Sequence, residues 1–174
     1  QNAIHKSQLI LIATPVNSIP AILEEILNHI ENQVVIDMGS TKSSICNSIS
    51  YHAKRGRFIA AHPMWGTEFS GPQAATEQSF SGKAAIICEQ DRCDADALYD
   101  AIFLFESLNM HLLYMKPAEH DLHAAYVSHL AHLSSFALAN TVLEKEKEEK
   151  AIFELASAGF DSTVRLAKSN PHTW

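Results

Sequence analysis

The sequence predicts an α/β fold, with a doubly wound parallel sheet in the first part of the chain and only helices in the second. Up to about residue 115, short continuous apolar runs alternate with segments of helical periodicity, as in parallel sheets that are covered on both faces. Residues 118–150 contain neither glycine nor proline, which indicates one long helix. We therefore expect two domains, residues 1–115 and 116–174, with a boundary near residue 116.

Five apolar runs are the predicted strands of the sheet, and they cover residues 8–13, 34–37, 58–61, 83–88 and 111–115. A helix is predicted from about Ser18, a short one around Ile45 and Ile49, and a third over residues 95–108. The third strand is expected to end at His62, because Pro63 has no N–H to donate to a neighbouring strand.

The second part of the chain is predicted to be helical throughout. Pro117 suits the first position of the long helix, which would be about 45 Å long at about 1.5 Å per residue. Shorter helices are expected over residues 151–158 and 163–169, with a break at Gly159. The apolar residues of the long helix exceed one helical stripe, so more than one face needs burial and a homodimer is predicted.

Composition excludes several classes of function. The net charge is −7 and no basic stripe is present, which argues against nucleic-acid binding. No apolar run approaches the roughly 20 residues of a membrane span, and the first residues do not resemble a signal peptide. The three cysteines are irregularly spaced and are predicted to be free thiols, as in a cytoplasmic protein.

Polar residues follow three of the predicted strands. Thr14, Ser40 and His62 would lie at one edge of a parallel sheet, where open α/β sheets bind their ligands. Gly66 and Gly71 flank a loop that can pass close to a substrate. The alternative is that these residues only form the turns that every strand end needs.

The long helix is rich in histidine, which raises the possibility of a metal site. Its histidine pairs, 120 with 123 and 129 with 132, fall on opposite sides of a straight helix. No CxxC or HExxH motif accompanies them, so no metal site is predicted. Asp121 and His132 share one face among small residues, which suggests that this face lines a wet cavity.

Two cations of this acidic chain are candidate ligands for an anion. Arg165 lies in a semi-apolar predicted helix and is either a carboxylate clamp or part of a surface salt bridge. Lys42, after the second strand, is a further candidate for a local positive charge at the site.

Five motifs together resemble one family in order and spacing: GSTK at 39–42, HPMWGTE at 62–68, HD at 120–121, SHLAH at 128–132 and RLAKSNPxxW at 165–174. The family is prephenate/arogenate dehydrogenase, the NAD- or NADP-dependent oxidative decarboxylase of tyrosine biosynthesis. The resemblance implies a Rossmann-type domain joined to an all-helical dimerisation domain. The expected activity converts prephenate or arogenate, a small-molecule substrate, to 4-hydroxyphenylpyruvate or tyrosine.

The resemblance also implies roles for individual residues. His62 would be the catalytic base, with Ser40 beside it at the substrate hydroxyl and the nicotinamide. Thr14 and Pro15 would lie along the cofactor. The residues expected to bind the substrate are Thr67, Glu68, His129, His132 and Arg165.

None of the six glycines forms the G-x-G-x-x-G phosphate loop, so the chain resembles an internal piece of a longer enzyme that lacks the N-terminal phosphate-binding half. Such a piece is expected to be inactive alone. Two alternatives remain: a related β-hydroxyacid dehydrogenase, whose pattern places a catalytic lysine on the long helix, and a non-catalytic dimerisation or regulatory module.

Overall fold

A computed structural model of the chain describes residues 2–66, 73, 80–149 and 151–169. Residues 2–65 and 80–123 form one unit, and residues 66, 73, 124–149 and 151–169 form another. The division falls inside the long helical region, between residues 123 and 124. The domain boundary near residue 116 stays a prediction.

The first unit is built on a five-stranded sheet whose strands are neighbours in chain order. The strands are β1 (Leu9–Ile12), β2 (Val34–Asp37), β3 (Phe58–Pro63), β4 (Ala84–Cys88) and β5 (His111–Met115). The helices between them are α1 (Asn2–His5), α2 (Ile19–His29), α3 (Ser43–Ser48) and α4 (Ala95–Ser107). Short 3-10 turns lie at Val16–Ser18, Arg55–Arg57 and Gln90–Arg92. The predicted α/β class is confirmed.

The prediction that every strand runs parallel is wrong for one pair. β1, β2 and β3 are parallel, as are β4 and β5, but β3 and β4 are antiparallel. The apolar run of β4 gave no sign of this, because a strand buried on both faces has the same sequence pattern in either direction.

β3 extends two residues beyond the predicted apolar run of 58–61 and includes His62 and Pro63. The N–H of Met64 donates to the carbonyl of Ala84 on β4 at 2.8 Å. Amide directions alternate along a strand, so the nitrogen of Pro63 faces away from β4. On that other side the pairing with β2 has already ended, at Asp37 opposite Ala60. Pro63 therefore removes no hydrogen bond from the sheet.

Alternate residues of the strands pack into separate cores on the two faces of the sheet. Val35, Phe58 and Ala60 pack on one face with buried residues of α2 and α3. Ile36, Ile59 and Ala61 pack on the other face with Ala97, Ala101 and Phe105 of α4. These α4 residues recur every four positions, which places them on one side of the helix. Burial of each large apolar side chain contributes roughly 1.5–3 kcal/mol to folding.

The long helical region consists of α5 (Pro117–Ala124), a π-helical segment (Ala125–His129) and α6 (Leu130–Glu148). Pro117 is its first residue, as predicted. A π-helix bonds residue i to i+5 and turns less per residue than an α-helix. The predicted common face of Asp121 and His132 assumed one straight α-helix, and it stays a prediction.

The last part of the chain is a 3-10 turn (Phe153–Leu155), α7 (Ala158–Val164) and a second 3-10 turn (Arg165–Lys168). The predicted break at Gly159 is wrong, since this residue lies in the first turn of α7. The chain is extended instead at Ser157, where ψ is 176°, and the N–H of Asp161 donates to the Ser157 carbonyl. Glycine is tolerated near a helix start, where the backbone is least constrained.

The three cysteines are free, as predicted. Burial raises the pKa of the Cys46 and Cys88 thiols to about 12, so both stay protonated and are poor nucleophiles. In the described part of the chain, no helix has the length and apolar character needed to cross a bilayer.

Candidate functional site

His62 lies near the end of β3, and its ring contacts His120 of α5. Nδ1 of His62 is 2.8 Å from Nε2 of His120, and the rings meet edge to face with their centroids 5.1 Å apart. His120 is only 2% exposed, whereas His62 is half-buried. The contact joins residues 58 positions apart and fixes one nitrogen of the His62 ring.

Asp121 connects this histidine pair to the start of α3. One of its oxygens, Oδ1, is 2.8 Å from Nδ1 of His120. The backbone N–H groups of Lys42 and Ser43 donate to Oδ1 and Oδ2 at 2.7 and 2.9 Å. Burial raises the pKa of Asp121, but the hydrogen bonds from Ser43, His120 and the backbone outweigh it and lower the pKa below its ordinary value. Asp121 is therefore ionised at neutral pH.

Lys42 does not provide a positive charge to a ligand, contrary to the prediction. Its side chain is completely buried, where Nζ donates to Oδ1 of Asp37 and, at 2.7 Å, to the carbonyl of Ala61. Burial raises the pKa of Asp37 against the opposing pull of Lys42. The ion pair instead fixes the backbone next to His62.

The predicted polar residues at the strand ends lie at one edge of the sheet. Thr14 and Pro15 are exposed after β1, and Ser40 is half-buried after β2. Because β1, β2 and β3 are parallel, these residues share the carboxyl edge with His62. The expected juxtaposition is present, while the roles assigned to these residues stay predictions.

His129, His132 and Arg165 belong to the second unit. His129 ends the π-helical segment and is half-buried. His132 is buried on α6, and its Nδ1 lies 3.0 Å from the carbonyl of Ser128, to which it donates. Arg165 is exposed at the first position of a 3-10 turn, rather than inside the predicted helix. Thr67 and Glu68 lie outside the described residues.

Ser135 was missed by the sequence reasoning, although it fixes the segment that carries Arg165. Its hydroxyl donates to the carbonyl of Thr163 and accepts from the N–H of Ala167, both at 3.0 Å. These two residues flank Arg165, and Ser135 lies one helical turn beyond His132. A serine among the small residues of α6 gives no sequence signal for such a contact.

Within the described residues, no group of three or more histidine, cysteine, aspartate or glutamate side chains is arranged to hold a metal ion. His62 contacts another imidazole, which in turn contacts a carboxylate. This arrangement suits an acid–base role for a histidine.

The fold and the site define an open α/β domain with its candidate ligand residues at the carboxyl edge of the sheet, followed by a helical region. Residues 1–114 match the family model described as the prephenate dehydrogenase nucleotide-binding domain. Residues 116–174 match the model of the prephenate dehydrogenase dimerization domain. The chain belongs to the prephenate dehydrogenase family.

Individual relatives agree with this assignment. Prephenate dehydrogenase of Bacillus subtilis is 30% identical over 99% of this chain and 47% of its own length. The crystal structure of A. aeolicus prephenate dehydrogenase with hydroxyphenyl propionate and NAD+ matches with a TM-score of 0.87 and 27% identity, over 100% of this chain and 63% of that one. Synechocystis arogenate dehydrogenase matches with a TM-score of 0.76 and 28% identity, over 98% and 62%. The chain thus spans about half the length of the Bacillus enzyme.

Proposed function

We propose that the full-length gene product containing this chain is an NAD- or NADP-dependent dehydrogenase that oxidises and decarboxylates prephenate or arogenate. The products would be 4-hydroxyphenylpyruvate or tyrosine. The observation that carries the proposal is the position of His62: it lies at the carboxyl edge of the sheet, with one ring nitrogen 2.8 Å from His120. The family membership supports the reaction class.

His62 would remove the proton of the ring hydroxyl as hydride leaves the carbon that bears this hydroxyl. Imidazole has an ordinary pKa of about 6.5, so a neutral imidazole is available as a base at neutral pH. The ring carboxylate then leaves as CO2, and the electron pair of the broken C–C bond moves through the ring to the new carbonyl oxygen, which takes up a proton as the ring becomes aromatic. The protein therefore needs no group that stores the electron pair.

The residues at the carboxyl edge fit the nicotinamide and ribose half of a dinucleotide. Thr14 and Ser40 offer hydroxyl groups there, and residues 13–16 and 38–41 contain no lysine or arginine. Such neutral donors suit the ring carboxamide and the ribose hydroxyl groups. When bound, the oxidised nicotinamide supplies the hydride acceptor. Thr14, Pro15 and Ser40 are the residues that we propose to hold this half of the cofactor.

The substrate carries carboxylates, whereas the chain has a net charge of −7. Local cations must therefore outweigh the overall field at the site. Arg165 would hold a carboxylate as a planar two-pronged donor, with its segment fixed by Ser135. His129, His132, Thr67 and Glu68 are the other residues that we propose to contact the substrate.

An assay of the full-length gene product tests the proposal directly. Prephenate and arogenate are each supplied with NAD+ and with NADP+, and reduced nicotinamide, CO2 and the aromatic product are measured. We expect at least one pair to give these three products in equal amounts. Failure of all four pairs in a protein that binds the nicotinamide cofactor would contradict the proposal.

We also propose that the protein forms a homodimer through the long helical region. Several large apolar side chains of this region are exposed in the single chain: Leu122, Tyr126, Val127, Leu130, Leu133, Leu138 and Leu143. Exposed large apolar side chains in this number are typical of a surface that a partner covers, and a second copy supplies one. The match to a dimerization domain supports this assignment.

Light scattering of the full-length protein at micromolar concentration should give twice the mass of one chain. Leu133→Asp places a charge on the 61% exposed Leu133 and should shift the mass toward one chain. Tyr51→Asp changes a fully exposed aromatic residue in the first unit and should leave the dimer intact. A wild-type mass of one chain would refute the dimer.

A further inference from the structure

The contacts between Asp121, His120 and His62 form a continuous hydrogen-bonded line from the backbone at the start of α3 to the proposed base. The line uses both nitrogens of His120 and Nδ1 of His62. Each imidazole contact is 2.8 Å long, which is the length of a formed hydrogen bond. The protons on this line are therefore set by the group at its end, Asp121.

An ionised carboxylate only accepts hydrogen bonds, so Nδ1 of His120 carries a proton and donates it to Asp121. A neutral imidazole has one N–H, and Nε2 of His120 is then an acceptor. The contact between this Nε2 and Nδ1 of His62 requires a proton on the His62 nitrogen. The lone pair of His62 consequently lies on Nε2.

The reverse arrangement, with the lone pair of His62 on Nδ1 and its proton on Nε2, requires a cationic His120 that donates from both nitrogens. Such a cation would lose its hydration, because His120 is 2% exposed. The neutral His120 is therefore favoured.

We infer that Asp121 and His120 are positioning residues, which hold the proton of His62 on Nδ1 and leave its lone pair on Nε2 for the substrate proton. The inference rests on the proposed function, in which His62 is the base. After His62 has accepted a proton, the same Nδ1–H still donates to His120, so the line needs no rearrangement during the reaction. A triad of nucleophile, base and orienting carboxylate follows the same logic.

Among the residues that the structure describes, the other titratable groups near the line do not change its charge. Lys42 and Asp37 form a buried ion pair and offset one another. Cys88 on β4 interacts electrostatically with Asp121, but burial raises the pKa of its thiol to about 12 and keeps it neutral. The charge that the line presents to His62 is therefore that of Asp121.

The first test reads the His62 tautomer by ¹⁵N NMR of the full-length protein without substrate. We expect the proton on Nδ1 in the wild type and a mixture of tautomers in Asp121→Asn. A proton on Nε2 in the wild type, or an unchanged tautomer in the variant, would overturn the inference. This measurement needs no turnover, so its outcome is independent of whether prephenate is the substrate.

The second test is the pH profile of kcat/KM. Asp121→Asn should lower kcat by about tenfold to a hundredfold while KM stays within about threefold. Loss of the negative charge should also move the acid limb down by about one pH unit, because the imidazolium loses its stabilising partner. A merely structural role does not move this limb. His123→Asn, an exposed histidine on the same helix, is the matched control and should leave kcat and the limb unchanged.

His120→Phe covers the case in which Asp121→Asn fails to fold, because it keeps the ring and the contacts of Asp121 to α3. This variant should show a mixture of His62 tautomers. The acid limb of its pH profile should move to lower pH, as in Asp121→Asn. In a His62→Asn background, Asp121→Asn should add less than about a twofold loss of kcat, since the two residues act as one unit. The inference would be overturned if Asp121→Asn lowered kcat as much in the His62→Asn background as in the wild type. It would also be overturned if His62 kept its proton on Nδ1 in His120→Phe.

Discussion

Replacing His62 by asparagine should lower kcat of the full-length enzyme by about 10²–10⁴-fold, the usual loss when a general base is removed. Asparagine is smaller than histidine but can donate to His120 from its amide, and it cannot take up a proton at neutral pH. KM should change by less than about threefold, because the carboxylates of the substrate are held by other residues. Steady-state kinetics with the better substrate measure both constants.

The matched control is His111→Asn, which changes an exposed histidine at the start of β5 and should leave both constants at their wild-type values. Thermal unfolding of His62→Asn should stay close to that of the wild type, which separates lost chemistry from lost structure. A kcat within threefold of wild type would remove His62 from the role of base.

Much of the sheet could be predicted from local sequence because its strands are short and apolar on both faces. β2 and β5 were predicted to the residue. The direction of β4 could not be predicted, since the residues of β4 do not encode the path of the chain that precedes it. The extension of β3 through Pro63 was missed for a similar reason: it depends on which neighbour each backbone amide faces.

The candidate site was predictable where a residue follows a strand, and His62 and Ser40 were found in this way. The histidines of the long helix were noticed, but their partners were not, because the contacts that decide their roles span 58 and 78 residues. The same holds for Lys42, whose sequence position suggests a ligand-binding cation. Only the fold shows that Asp37 and Ala61 surround its ammonium group.

Replacing Lys42 by methionine should destabilise the protein by about 3–5 kcal/mol, the usual cost of breaking a buried ion pair by removing one partner. Both side chains are completely buried, and Oδ2 of Asp37 has no hydrogen-bond partner among the described residues. Methionine keeps the length of the aliphatic stem but leaves the Asp37 charge uncompensated. The free energy of unfolding, from urea titration of the full-length protein, measures the loss.

Three comparisons make this result specific to the buried charge. Asp37→Asn combined with Lys42→Met should recover part of the loss, because no uncompensated carboxylate remains. Lys145→Met removes an ion pair to Glu148 in which both side chains are more than 60% exposed, and should cost at most about 1 kcal/mol.

Burial already raises the pKa of Asp37, and removal of Lys42 takes away the largest opposing influence. The folded state of Lys42→Met then binds a proton that the unfolded state releases, so this variant should gain stability as the pH falls from 7 toward 5. A loss below about 1 kcal/mol that does not respond to pH would show that this ion pair is not important for folding.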